Sequence, residues 1–202
     1  MMSRDDSREK KLIRAPADLV AKLNEAANRE GKTFYSYVSE VLEQAVRAYE
    51  MGRSLKEIID VYEILEVHRD AGTTAAPRDV LDYLIKTAYG KNSENLEKLW
   101  YQSGRWYGVY FKERFKESVD GFIRLLRDGR LGIDQVTMRN DDGMIELRCV
   151  SAFLSQERTL LMGNFIEGAM HSLGYKTKER EFFRGIIRLT FYSEHSSSSK
   201  QS

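Results

Sequence analysis

A short basic run, Lys10-Lys11-Leu12-Ile13-Arg14, leads into Pro16, and a second polar punctuation, Gly31-Lys32-Thr33-Phe34, follows one helix length later. The chemistry these residues offer is contact with a polyanion. The guanidinium of Arg14 is a rigid fork that can bond bidentately to guanine, and lysines pair with phosphate as point charges. A helix beginning near Thr33 would point the backbone N–H groups of Phe34 and Tyr35 at an anion, with Lys32 beside them. Taken alone, Gly31-Lys32-Thr33 is an ordinary capped helix–helix turn. The basic run ahead of Pro16 tips the combination toward nucleic acid.

Other chemistry finds little footing. The three histidines, His68, His171 and His195, are scattered. Glu167 and His171 stand four apart on one expected helix face without a third ligand, so a solvated pair is the better reading than a metal site. Cys149 falls in the apolar register of a strand and reads as a buried small hydrophobe. Neither a phosphate-binding glycine loop nor a nucleophile elbow is present. We expect no enzyme, no cofactor and no metal. A single cysteine among 202 residues excludes an internal disulfide framework and fits a reducing compartment. No apolar run approaches the roughly 18 residues of a membrane span, and the first residues lack a signal-peptide stretch. A cytoplasmic protein is expected. The net charge is only +1, and Met1 to Glu50 holds nine basic and nine acidic residues. Contact with DNA must therefore come from clustering of the basic side chains rather than from bulk charge.

The elements that would carry these residues follow from periodicity. Pro16 and Pro77 sit where helices begin, at a position that tolerates a missing N–H. Leu19, Val20, Leu23, Ala26 and Ala27 fit one helical face, and Val38, Val41, Leu42, Ala45, Val46 and Tyr49 form the stripe of a second helix with Thr33 as its cap. After Gly52, Ser54 caps a third helix with Leu55, Ile58, Tyr62 and Leu65 at coiled-coil spacing for barely two heptads. Residues 51–76 read as a helical linker, with the best boundary at Ala71 to Ala76. Helices are then expected over Pro77 to Tyr89 (Val80, Leu81, Leu84 and Ile85 inward), after Gly90-Lys91-Asn92-Ser93 with Leu96 through Phe111 at helical spacing, and over Val119 to Leu126. Gly104 and Gly108, four apart, allow another backbone to come close. Val136 to Arg139 and Ile145 to Cys149 alternate about Asp142-Gly143, a hairpin. Glu157 to Leu173 is helical, Lys176 to Glu181 an edge strand or loop, and Ile187 to Phe191 a final strand. The serine-rich end from Ser193 is expected to be disordered. The class is α+β.

Strand, helix, turn and helix in so few residues cannot bury a core alone, and without a disulfide or metal the economical answer is a second copy. On this pattern, residues 8–50 resemble the ribbon-helix-helix family of DNA-binding dimers. The resemblance implies that one strand from each chain pairs into a ribbon that enters the major groove. It places Ile13 and Ala15 in the shared core and Lys10, Leu12 and Arg14 toward DNA. It also makes the helix start at Lys32, Thr33, Phe34 and Tyr35 a phosphate clamp. Leu12 departs from the family's usually polar central position; either it meets a thymine methyl, or the register differs by one residue and presents Lys11 and Ile13 instead.

Residues 77–192 resemble the 4-vinyl-reductase-like domain, related in fold to TRAPP vesicle-tethering subunits. The matching stretches are Ala76-Pro77-Arg78-Asp79-Val80-Leu81, Ser103-Gly104-Arg105-Trp106-Tyr107-Gly108, Gly163-Asn164-Phe165-Ile166-Glu167-Gly168 and Leu173-Gly174-Tyr175. The resemblance implies an α+β domain that dimerises and binds an apolar small molecule. Many members carry cysteines near the closing strands. This chain has Glu181-Phe182-Phe183-Arg184-Gly185 there, so no metal site or reductase activity is carried over. Trp100, Trp106, Tyr107, Tyr110, Phe111, Phe122 and Phe165 are the candidate pocket; for any one of them core packing is the blander reading.

The expected function is a homodimeric transcriptional regulator on double-stranded DNA, able to form a higher oligomer there. The competing reading is a dimeric adaptor that docks proteins through its TRAPP-like domain. A toxin-neutralising antitoxin ranks third, because such proteins usually carry a short disordered tail rather than a folded domain.

Overall fold

The computed structural model describes residues 11–141 and 143–193. Lys10, Asp142, His195 and the serine-rich end beyond Ser193 lie outside the described residues. The elements are α1 (Ala17–Arg29), α2 (Phe34–Glu50), α3 (Leu55–Asp70), α4 (Arg78–Arg114), α5 (Ser118–Arg127), β1 (Gln135–Asp141), β2 (Met144–Val150), α6 (Gln156–Ser172), β3 (Tyr175–Phe183) and β4 (Ile186–Ser193). The class is α+β. The chain divides into two compact units, Met1–Ile59 and Asp60–Ser202. The division falls inside α3, not at Ala71 to Ala76. Ile64, Val67 and His68 are buried in the second unit, the first two within its apolar core, so the expected linker is in part core.

In the first unit, Pro16 is extended at ψ 139° and its carbonyl accepts from Val20 N–H at 3.1 Å. The proline thus stands one position ahead of the first helical residue, as Pro77 does at ψ 139° before α4. Helix α1 ends when Gly31 takes φ +66° and Lys32 N–H reaches back to Ala27 O at 2.9 Å. That left-handed closure is cheap only for glycine. Thr33 caps α2, its hydroxyl accepting from Ser36 N–H at 3.2 Å. Of the described residues in this unit, only Ala27 and Ala48 are buried. The apolar stripe of α2 is half-buried at Val38, Val41 and Ala45 and exposed at Leu42 (44%), Val46 (57%) and Tyr49 (82%). Reciprocal bonds between Ser54 and Glu57 start α3, at 2.7 Å from Ser54 N–H and 3.1 Å from Glu57 N–H. This capping box holds the Glu57 carboxyl below its ordinary pKa.

The second unit is built on two helices and a sheet. Helix α4 breaks at Asn92 (φ −158°, ψ 78°), whose side chain caps the following turn by accepting from Asn95 N–H at 3.0 Å. Beyond the break, α4 and α6 run side by side in the same direction. A Cβ on Gly104 would strike the Phe165 carbonyl, and one on Gly168 would strike the Tyr101 carbonyl. The close approach expected from the glycine spacing is therefore made by backbone on both sides. Ahead of the break the fit is looser. Ile85 is buried, while Val80 and Leu84, expected inward, are 50% and 55% exposed. That segment is tied to α6 instead by Arg158 Nη1 to Asp82 Oδ1 at 2.9 Å.

The four strands form an antiparallel sheet in the order β1-β2-β4-β3. Ile145, Leu147 and Cys149 of β2 and Ile187, Leu189 and Phe191 of β4 face the helices. The polar strand β3 lies at the edge, as its composition requires, with a register shift between Thr177 and Glu179. Burial pushes the Cys149 thiol up to about 12. We expect the native protein to resist a thiol-specific disulfide reagent at neutral pH and to react once unfolded; rapid native labelling would contradict this burial.

Candidate functional site

The residues expected to meet DNA are distributed along one stretch of the first unit. Among the described residues, Lys11 to Pro16 form no strand pairing, and Leu12 and Ile13 are 90% and 67% exposed. Arg14 is exposed on the same segment. Phe34 and Tyr35 open α2 at its positive end, directly after the Thr33 cap. Lys32 is engaged elsewhere: its ammonium lies 2.8 Å from Glu30 and 2.6 Å from Glu40. Those carboxylates raise its pKa above the lysine range, and a phosphate must compete with both.

The second unit holds an aromatic cleft of about 680 Å³. Trp100, Trp106, Tyr107, Tyr110 and Phe165 line it, together with Met162 from α6. Phe111 and Phe122, included among the pocket residues from sequence, are fully buried behind it in the core. They stack edge to face at 5.8 Å. Helical periodicity cannot separate the two groups, because both sets of rings fall on the apolar side of their helices. The rest of the wall is the turn Ala71-Gly72-Thr73 after α3, Leu96, Leu99 and Ser103 on α4, and Leu131. Sequence reasoning misses that turn as a wall, because its small residues carry no binding signal of their own.

At one end of the cleft the lining becomes polar. Thr73 Oγ1 and the Tyr107 hydroxyl are hydrogen-bonded, and the same hydroxyl lies 2.8 Å from His68 Nδ1. Beyond the ring, His68 Nε2 faces Asp128 Oδ2 at 3.7 Å, too far for a hydrogen bond. Both atoms are buried without a hydrogen-bond partner. Burial is the main cause that raises the Tyr107 pKa, with the Asp128 charge adding to it and the Thr73 hydrogen bond opposing it, so the phenol is neutral at physiological pH. Tyr107→Phe keeps the ring but strips His68 Nδ1 of its partner. A buried group left unsatisfied costs about 1–3 kcal/mol. Urea unfolding followed by tryptophan emission should show that loss, and an unchanged midpoint would show that the bond contributes nothing.

Elsewhere, Arg158 Nε and Ser172 Oγ are also buried without a hydrogen-bond partner, while the Glu167 and His171 groups are paired. Glu167 pairs with Arg180 at 3.2 Å, and His171 bonds Tyr101 and Thr177, each at 2.8 Å. Among the described residues, no group of three or more His, Cys, Asp or Glu is placed to hold a metal ion. A depression of about 440 Å³ on the outer sheet face interleaves Arg139, Arg148, Arg180 and Arg188 with Glu146, Glu179 and Glu181, which leaves no field of one sign. Among the described residues no helix is long and apolar enough to cross a membrane.

Neither a family model nor a curated protein matches the chain. Among solved structures it is similar to one from work probing heme distortion in the H-NOX family. The identity is 16% and the TM-score 0.39, over 69% of this chain and 90% of that one. A second, from work on modulating heme redox potential through protein-induced porphyrin distortion, has 16% identity and a TM-score of 0.36, over 62% and 85%. Likeness at this level assigns neither fold family nor function.

Proposed function

We propose that this protein is a homodimeric DNA-binding transcriptional regulator of ribbon-helix-helix type. Its C-terminal unit, of 4-vinyl-reductase-like type, dimerises and senses an apolar small molecule in the aromatic cleft. One observation carries the reading. The first unit buries only Ala27 and Ala48 among its described residues while Leu42, Val46 and Tyr49 stay exposed on one helix. Thirty helical residues in α1 and α2 cannot be stable with two buried alanines, since ordering them costs on the order of 1–2 kcal/mol per residue. A second copy laid on the same stripe supplies the missing core. The run from Lys11 to Ala15 would then pair with its counterpart as the ribbon, and symmetry would double Arg14 on one face. Leu55, Ile58, Tyr62 and Leu65, each at least 38% exposed, offer a further apolar seam along α3.

The dimeric adaptor is the second reading, favoured by Lys32 being held by two carboxylates. Sedimentation of the full chain and its affinity for double-stranded DNA at several salt concentrations separate the two. The regulator sediments as a dimer, and the logarithm of its affinity falls linearly with the logarithm of salt as counterions are released. The adaptor sediments as a dimer and binds no DNA. A monomer contradicts both.

A further inference from the structure

We propose that occupancy of the cleft is relayed to α3 through the string Thr73–Tyr107–His68–Asp128. The proposal rests on the reading of the cleft as a site for an apolar ligand. Three observations carry it. Thr73 and Tyr107 both line the cleft, so a bound molecule touches the first two groups of the string. His68 sits in the last turn of α3 and is held on the cleft side only, by Tyr107. On its other side Nε2 and Asp128 Oδ2 face each other across 3.7 Å, buried and without hydrogen-bond partners.

A string with one bond made and the next one open has two arrangements. In the present one, the Tyr107 hydroxyl and Nδ1 are hydrogen-bonded, and Nε2 faces Asp128 without reaching it. Shortening the last gap by a few tenths of an ångström would complete a charge-assisted bond. Asp128 cannot easily swing away, because its Oδ1 already accepts from Arg130 N–H at 2.8 Å. Movement must therefore come from His68 and the helix that bears it. The backbone reinforces this link: Thr73 N–H donates to the His68 carbonyl at 2.9 Å, closing α3 at the cleft wall. A ligand that displaces Thr73 or engages the Tyr107 hydroxyl thus acts on the α3 terminus by two routes. From α3 the chain leads back to the first unit.

The test uses full-length protein with 1-anilinonaphthalene-8-sulfonate as the probe. Trp100 and Trp106 are the chain's two tryptophans, and both line the cleft; the part of the energy transfer to the dye that is lost in Leu99→Arg, a substitution in the cleft wall, reports cleft occupancy. Hydrogen exchange of the amides from Ile64 to Asp70 reports α3. Occupancy in the wild type is expected to change that exchange about fivefold or more, the lower end of ordinary coupling between sites. His68→Phe and Asp128→Ala, neither of them in the cleft wall, are expected to keep the energy transfer and lose the exchange response. Asp128→Ala, just past the end of α5, keeps the test open should His68→Phe not fold. Energy transfer with unchanged exchange in the wild type overturns the relay and leaves the cleft reading intact. An equal exchange response in both variants overturns the string as its route. No such energy transfer overturns the cleft as an apolar site, and the relay with it.

Discussion

Gly104→Ala is expected to destabilise the second unit by about 2–3 kcal/mol, at a position where helix propensity alone predicts a gain of about 1 kcal/mol. The sign is decided by what the new methyl would meet. The nearest atom is the backbone carbonyl of Phe165, well inside any real Cβ contact, and a carbonyl inside a helix cannot rotate away. Either α4 and α6 separate or one of them bends, and overpacking of this kind costs about 1–3 kcal/mol, occasionally more. Gly108 and Gly168 repeat the arrangement against the Ala169 and Tyr101 carbonyls, so the seam has no slack elsewhere to absorb the shift. Gly90 is the control. It lies on the same helix, where an added methyl would meet nothing within 4 Å and the backbone has no left-handed φ. Gly90→Ala should stabilise by up to about 1 kcal/mol. For a chain of this size the two variants should move the melting midpoint by roughly 5–10 °C downward and 2–4 °C upward. Tryptophan emission follows the transition. Equal midpoints for the two variants would mean that the helices are not in backbone contact.

Val46→Glu is expected to abolish the folded first unit. Val46 is 57% exposed in one chain. In the proposed dimer it is buried, along with its symmetry mate, so each substitution removes an apolar contact worth about 1.5–3 kcal/mol. Each also buries a carboxylate without a partner, which costs several kcal/mol more. A dimer weakened by about 2.7 kcal/mol or more is about a hundredfold weaker, and the helices α1 and α2 should then exchange their amides freely. Glu43→Gln, at a neighbouring exposed polar position on α2, should change neither dimerisation nor exchange. Protected α1 and α2 amides in Val46→Glu would mean that the unit folds without a partner on this face.

How much of this is legible in the amino-acid sequence depends on the kind of signal. Thr33, Ser54 and the closing Gly31 act through bonds within a few residues of themselves, so their roles can be read locally. The sheet is equally readable: Ile145, Leu147 and Cys149 alternate cleanly, and the polar strand β3 suits only an edge. The glycine pair at Gly104 and Gly108 announces a close approach but not its partner, because that partner, Phe165 to Ala169, is distant in sequence. The cleft shows the limit most clearly. Phe111 and Tyr110 are adjacent on one helix, yet one is core and the other lines the opening, and a rotation of about 100° per residue is finer than the periodic pattern resolves. The exposure of Val80 and Leu84 escapes the pattern for the same reason. The string from Thr73 to Asp128 is illegible, since its four members come from a turn, two helices and a helix end that only the fold brings together.

Whether the segment before Pro16 reads DNA as a symmetric ribbon is decided best by fluorescence anisotropy. The probe is a labelled double-stranded fragment from upstream of the gene itself, with wild type beside Arg14→Ala at two salt concentrations. Each bidentate arginine–guanine pair discriminates by about 1–3 kcal/mol, and a dimer carries two. Tight, salt-sensitive binding is expected of the wild type, with a loss of roughly thirtyfold or more in Arg14→Ala, the low end of two such pairs. Equal affinity of the two proteins, or no binding to this fragment or to mixed genomic DNA at low salt, would contradict the ribbon reading.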